Sequence, residues 1–135
     1  MRTRFPNRIL EEVFSVVNEI VNYKLPELMQ QIERVINQNP SPIEGVNVIY
    51  QFKITGDEEG TFQLYLADGK AKVSEGVEGA NCTLILSLEN FRKFLVGKLN
   101  GTSAFMTGKL KIKGDLGKAI KLEGLLREYN LKEQL

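Results

Sequence analysis

The sequence predicts an α+β domain: one mostly antiparallel, five-stranded sheet with helices packed on one face. Three observations predict it. Apolar residues recur at helical spacing up to Ile36, alternate at period two from Val46 to Val73, and return to helical spacing after Ser87 and again after Asp115. The 135 residues suit a single domain over 1–135, large enough to bury a core without a disulfide or metal staple.

Taken in order, Ile9, Leu10, Val13, Phe14, Val16, Val17, Ile20 and Val21 lie at helical spacing, with Glu11, Glu12, Asn18 and Glu19 off the apolar face. They predict a first helix over Ile9 to Asn22. Pro26 suits the first turn of a second helix, whose stripe is Leu28, Met29, Ile32, Val35 and Ile36, and Pro40 and Pro42 end it. Val46, Val48, Tyr50, Phe52 and Ile54 then alternate along a first strand. Phe62, Leu64 and Leu66 do the same beyond a turn at Gly56 to Gly60. Asp68-Gly69 is a hairpin signal leading into a short third strand, Lys70 to Ser74. Cys82 to Leu86 predicts a fourth strand, and Ser87 can cap a helix carrying Leu88, Phe91, Phe94, Leu95 and Leu99. After a turn at Asn100 to Ser103, Ala104 to Thr107 predicts a short helix. Lys109 to Lys113 predicts a fifth strand, lysines on one face and Leu110 and Ile112 on the other. A strand with one wet face belongs to a sheet covered on one side. Asp115 can cap the last helix, which runs to about Asn130. Its apolar set is Leu116, Ala119, Ile120, Leu122, Leu125, Leu126 and Tyr129, and at about 100° per residue it covers more than half the circumference. That is wider than packing on one sheet requires, so this helix must touch a second apolar feature.

Composition excludes several chemistries. Hydrophobic content is 42%, charged content 26% and net charge +1, the balance of an ordinary globular domain with no global field for nucleic acid or membrane. Histidine is absent, which removes the usual general base near neutral pH, the commonest metal ligand, and every Ser-His or Cys-His pair. The one cysteine, Cys82, can form neither an internal disulfide nor a thiolate metal site and reads as a small buried hydrophobe. No segment has the roughly 18 apolar residues of a membrane span. The stretch after Arg2, Arg4 and Arg8 is too charged for a signal-peptide core, so a cytoplasmic location is expected. Asp57, Glu58 and Glu59 are too closely spaced for a calcium loop and read as a hairpin tip. The glycines at 97, 101, 108, 114 and 117 match no nucleotide-binding pattern.

The stretch Ala104-Phe-Met-Thr-Gly-Lys-Leu-Lys-Ile-Lys-Gly-Asp115, continued by Leu116-Gly-Lys-Ala-Ile-Lys-Leu122, resembles the core signature of the sterol carrier protein (nonspecific lipid-transfer) family. Ser87 to Leu99 resembles that family's aromatic helix followed by a glycine turn, and the likeness extends over about Val46 to Tyr129. It implies strand order 3-2-1-4-5 and a hydrophobic tunnel between sheet and helices. That tunnel would hold a fatty acid, acyl-CoA, phospholipid or sterol without covalent chemistry or a cofactor. Eukaryotic members often end in a peroxisomal Ser/Ala-Lys-Leu; this chain ends Glu133-Gln134-Leu135, which points to a stand-alone, bacterial or cytosolic member.

A lipid cavity needs flexible, apolar, unreactive walls. Phe91, Phe94, Leu95, Phe105, Met106, Ile112, Leu116, Ile120, Leu125 and Leu126 are of the right type, and each also suits a plain core. Between Phe91 and Lys121 stand Arg92, Lys93, Lys98, Lys109, Lys111, Lys113, Lys118 and Lys121 against the single acid Asp115. A solvated strand face is the first reading for Lys109, Lys111 and Lys113. Transient docking to an anionic membrane, or pairing with a ligand headgroup, is the functional alternative. Nucleic-acid binding would need aromatics interleaved among the lysines, and Lys109 to Lys113 has none. Two functions follow: a non-catalytic lipid carrier or store, monomeric or weakly dimeric; or a non-catalytic module presenting the same apolar groove to a partner protein or a lipid-handling enzyme.

Overall fold

The computed structural model describes residues 24–56, 58–76 and 79–131. The helix expected over Ile9 to Asn22 lies outside them. The first described helix, α1 (Leu25–Gln38), has Pro26 in its first turn. The Glu58 carboxylate accepts the Leu25 N–H at 2.7 Å, satisfying one of the donors that a helix start leaves open. The expected stripe Leu28, Met29, Ile32, Val35 and Ile36 is buried. Pro40 and Pro42 stop the helix and shape a 3-10 turn (Ser41–Ile43) that seats Ile43 in the core.

Strands β1 (Val48–Thr55), β2 (Gly60–Ala67) and β3 (Lys70–Glu75) form the antiparallel meander, with Val48 opposite Leu66 and Leu66 opposite Ala71. The alternation puts Val48, Tyr50, Phe52, Ile54, Phe62, Leu64 and Leu66 into the core. On the other face Gln51, Gln63 and Tyr65 form a polar row: Gln63 Nε2 donates to Gln51 Oε1 at 2.9 Å, and the Tyr65 hydroxyl donates to Gln63 Oε1 at 2.9 Å. The outer edge of β3 is closed by α1. Asn37 both accepts the Ala71 N–H (2.8 Å) and donates to its carbonyl (2.9 Å), while Glu33 accepts the Val73 N–H (2.7 Å). Side chains thus stand in for a missing strand on an edge that would otherwise invite pairing.

From β3 the chain crosses to the far side of β1, where β4 (Cys82–Ser87) pairs parallel, Tyr50 beside Cys82. Asn81 sets that register: its Oδ1 accepts the Ile49 N–H at 2.8 Å and its own N–H donates to the Ile49 carbonyl at 2.9 Å. Strand β5 (Lys111–Gly114) completes the sheet antiparallel to β4, giving the order β3-β2-β1-β4-β5. The sheet is therefore mixed, β1–β4 being its one parallel pair among the described strands.

Ser87 caps α2 (Leu88–Leu95) as expected, its Oγ accepting the Asn90 N–H at 3.1 Å. The helix stops before Leu99 because the N–H groups of Lys98 and Leu99 both return to the Lys93 carbonyl, at 2.8 and 3.2 Å. Asn100 then caps α3 (Gly101–Met106), which starts three residues before the expected Ala104. The fifth strand is also shorter than expected. Gly108 takes φ +80, and the N–H groups of Lys109 and Leu110 fold back onto the Ala104 carbonyl at 2.8 and 3.1 Å, so neither can enter the ladder. The last helix, α4 (Leu116–Tyr129), matches its expected bounds to within a residue.

Candidate functional site

The site is built on α4. Asp115 caps it, Oδ1 accepting the Lys118 N–H at 3.2 Å, while the Asp115 N–H is held by the Asn81 carbonyl at 3.1 Å. Ala119, Leu122, Leu125, Leu126 and Tyr129 form its buried face. Two tyrosines pin it along its length. The hydroxyl of Tyr50, on β1, donates to the Lys118 carbonyl at 2.6 Å, and that of Tyr129 donates to the Asn39 carbonyl at 2.8 Å. Beside the buried face runs a second stripe, Leu116, Ile120, Glu123 and Arg127, at three- and four-residue spacing. The wide apolar arc of this helix thus has two sides: one packs on the sheet, the other lines a cleft.

The cleft has two compartments. The first is apolar, about 90 Å³, and lies between β4, β5, α3 and α4; its walls are Leu84, Phe94, Phe105, Leu110, Ile112, Leu116, Ala119 and Ile120. The second, about 370 Å³, runs on towards the end of α4. Leu95, Leu99, Leu126 and Leu131 line it together with Lys98, Asn100, Arg127 and Asn130. Phe94 and Glu123 border both. Glu123 Oε2 accepts the Gly101 N–H at 3.1 Å, joining α4 to the first residue of α3 across the boundary. At the apolar end, large hydrophobic side chains stay exposed: Phe105 at 42%, Met106 at 78%, Leu116 at 46% and Ile120 at 60%.

The structure brings Phe94, Phe105, Ile112, Leu116 and Ile120 together around the apolar compartment, and puts Leu95 and Leu126 in its neighbour. Phe91 is fully buried, its ring 5.1 Å from that of Phe52, and borders neither. Leu125 sits in the core, and Met106 projects outward beside Phe105. Sequence reasoning missed Leu84, Leu110, Ala119 and Glu123 as wall residues. Glu123 was findable, since it continues the Leu116–Ile120 stripe by three residues.

Beneath the start of α4, Cys82 is buried. Burial first, and then the charge of Asp115, push its thiol up to about 11. Burial also raises the Tyr50 hydroxyl, helped by Cys82 and Asp115. A thiol held protonated is a poor nucleophile. Among the described residues no group of three or more His, Cys, Asp or Glu could hold a metal ion, and no helix is long and apolar enough to cross a membrane.

Comparison with known proteins assigns this architecture, an α+β sheet in the order β3-β2-β1-β4-β5, to a class of lipid-handling domains. Residues 29–127 match the model of the SCP-2 sterol transfer family, so the chain belongs to that family of lipid-binding and lipid-transfer domains. Hydroxysteroid dehydrogenase-like protein 2 of Xenopus tropicalis is 39% identical over 110 residues, covering 80% of this chain and 26% of that protein. The chain spans about a quarter of the length of the curated relatives it matches. The solution structure of the sterol carrier protein domain 2 of Helicoverpa armigera superposes with a TM-score of 0.65 at 34% identity, covering 76% of this chain and 84% of that one. A sterol carrier protein 2 from Aedes aegypti, solved in complex with palmitate, shares the fold at 19% identity, with a TM-score of 0.54 over 71% of this chain and 94% of its own.

Proposed function

We propose that this domain binds one lipid chain in the cleft between α3 and α4 and carries or stores it without changing it chemically. The observation that carries this reading is the cluster of exposed hydrophobic side chains at the mouth of the apolar compartment, Phe105, Leu116 and Ile120, flanked by Met106. A buried methylene is worth about 0.8 kcal/mol, so eight carbons over these side chains gain roughly 6 kcal/mol before ordering costs.

Size bears on how the chain enters. About 90 Å³ is well under the roughly 300–1,000 Å³ of small-molecule sites, whereas the adjoining 370 Å³ falls within that range. A full acyl chain therefore needs the compartments joined, which means parting Glu123 from Gly101. The tyrosine-pinned α4 is the fixed wall. Helix α3 buries only Gly101 and Ala104 and is the wall that gives. The joined cleft is apolar at the Ile120 end and carries Lys98 and Arg127 at the other, which suits a carboxylate or phosphate headgroup there. Phe94, Leu95, Phe105, Ile112, Leu116, Ile120 and Leu126 touch the ligand, while Phe91 and Leu125 support the wall from behind. Palmitate in the Aedes aegypti protein supports the fatty acyl class as one that this fold accommodates. A single buried, protonated cysteine suits a reducing compartment such as the cytoplasm.

A second reading is favoured by one observation: the matched relatives carry this region as about a quarter of a longer, dehydrogenase-like protein. In that reading the domain presents its groove, or its cargo, to an enzyme. Titration with a fluorescent fatty acid tests the first reading. Saturation near one-to-one, reversed by unlabelled fatty acid or acyl-CoA, is expected. A protein that takes up none of these and instead retains a partner enzyme would support the second.

A further inference from the structure

One contact divides the two compartments. Glu123, on α4, borders both, and its Oε2 accepts the N–H of Gly101, the first residue of α3, at 3.1 Å. Gly101 is buried, and a Cβ there would stand 2.7 Å from Glu123 Oε1. Its backbone is helical, with no positive φ, so the chain path does not demand glycine at this position. What glycine supplies is room for the carboxylate. Helix α3 does not depend on that carboxylate for its cap, because Asn100 Oδ1 already accepts the Ser103 N–H at 2.9 Å. Helix α4 is held independently, through Tyr50 and Tyr129. The contact can therefore open without unravelling either helix, at the cost of a charge-assisted hydrogen bond and a buried N–H left without its acceptor.

We propose that the Glu123–Gly101 contact is a latch that selects fatty acids by chain length, with Glu123 as the specificity-determining residue. This selection rests on the cleft being the lipid site. A methylene fills about as much space as a water molecule, roughly 30 Å³. The 90 Å³ apolar compartment then takes about three of them, and its 370 Å³ neighbour adds room for about twelve. A short chain stays on the near side of Glu123 and meets a closed latch. A long one reaches Leu95, Leu99 and Leu126 only by passing between Glu123 and Gly101, so it binds the open form alone. Each further methylene buried improves affinity about fourfold, but the gain from the first few beyond the boundary is offset by opening the latch. Affinity should therefore stop rising where the chain meets Glu123 and climb again beyond it.

Two variants open the latch from opposite sides. Glu123→Ala removes the acceptor, and Gly101→Ala puts a methyl group where the flexible end of Glu123 has to move away. Affinities for hexanoate and palmitate, read by ligand-observed NMR and by displacement of a fluorescent fatty acid, should change alike in both variants: palmitate about tenfold tighter or more, hexanoate unchanged. Glu123→Gln keeps an oxygen to accept the Gly101 N–H and should hold palmitate affinity near the parent's, which a general loosening of α3 would not explain. Urea unfolding of the same preparations shows whether each variant is folded; if Glu123→Ala is not, Gly101→Ala decides. Equal gains for hexanoate and palmitate, no gain for palmitate in a folded opening variant, or the full gain in Glu123→Gln overturns the latch, while fatty acid binding by the parent keeps the carrier reading. A parent and variants that bind no fatty acid of either length overturn both.

Discussion

Ile120 offers the sharpest test of the cleft. It stands on the pinned helix α4, lines the apolar compartment and is 60% exposed. Burying a whole isoleucine side chain is worth about 1.5–3 kcal/mol, so a chain lying over Ile120 recovers roughly 60% of that, about 1–2 kcal/mol. Ile120→Ala should therefore weaken fatty acid binding about fivefold to thirtyfold. Ile120→Asp adds a carboxylate that the ligand would have to cover, at a further cost of several kcal/mol, and should abolish binding. Neither change should move the urea midpoint much, because helix propensity at an exposed position is worth only a few tenths of a kcal/mol here. The assay is a fluorescent fatty acid titration beside a urea unfolding curve on the same preparation. If Ile120→Asp binds as the parent does while folded, lipid does not lie against this part of α4.

Glu123→Ala removes the link to Gly101 and should speed ligand uptake and exchange in stopped-flow fluorescence; an unchanged rate would show that the boundary between compartments is no barrier. Gly114 lies at φ +93, and a Cβ there would stand 2.5 Å from the Asn81 carbonyl oxygen, so Gly114→Ala should cost about 2–4 kcal/mol in urea unfolding. Stability should fall as pH rises between 9.0 and about 11, because the unfolded Cys82 thiol ionises from 9.0 upward while the buried one keeps its proton to about 11, and Tyr50 extends the loss to higher pH. Thermal melts of Cys82→Ala across that window should show a shallower decline than the parent.

Much of the fold was legible because alternation assigns faces. Tyr50, Phe52, Ile54, Leu64 and Leu66 were expected inside and are buried, and the hairpin at Asp68-Gly69 falls between Ala67 and Lys70 as its residues require. Periodicity says nothing of which strands are neighbours, so the adjacency of β1 and β4 entered only through the family resemblance, and their parallel direction was first seen in the structure. Local hydrogen bonds that break a pattern were also invisible: Lys109 looks like strand, but the Ala104 carbonyl holds its N–H. In the site, Phe91 and Phe94 share the apolar face of α2 at adjacent turns. Only the return of the chain through α3 puts Phe94 on the cleft and leaves Phe91 against Phe52. The two-sided arc of α4 was readable from spacing alone; the hydrogen bond of Glu123 across the cleft to Gly101, 22 residues away, was not.

The central claim is that this cleft holds lipid, and native mass spectrometry of freshly purified protein, followed by organic extraction, tests it most directly. The account predicts a bound fatty acid or other lipid near one-to-one, recovered in the extract and reduced in Ile120→Asp. A clean unliganded mass that also refuses added fatty acid and acyl-CoA would contradict it.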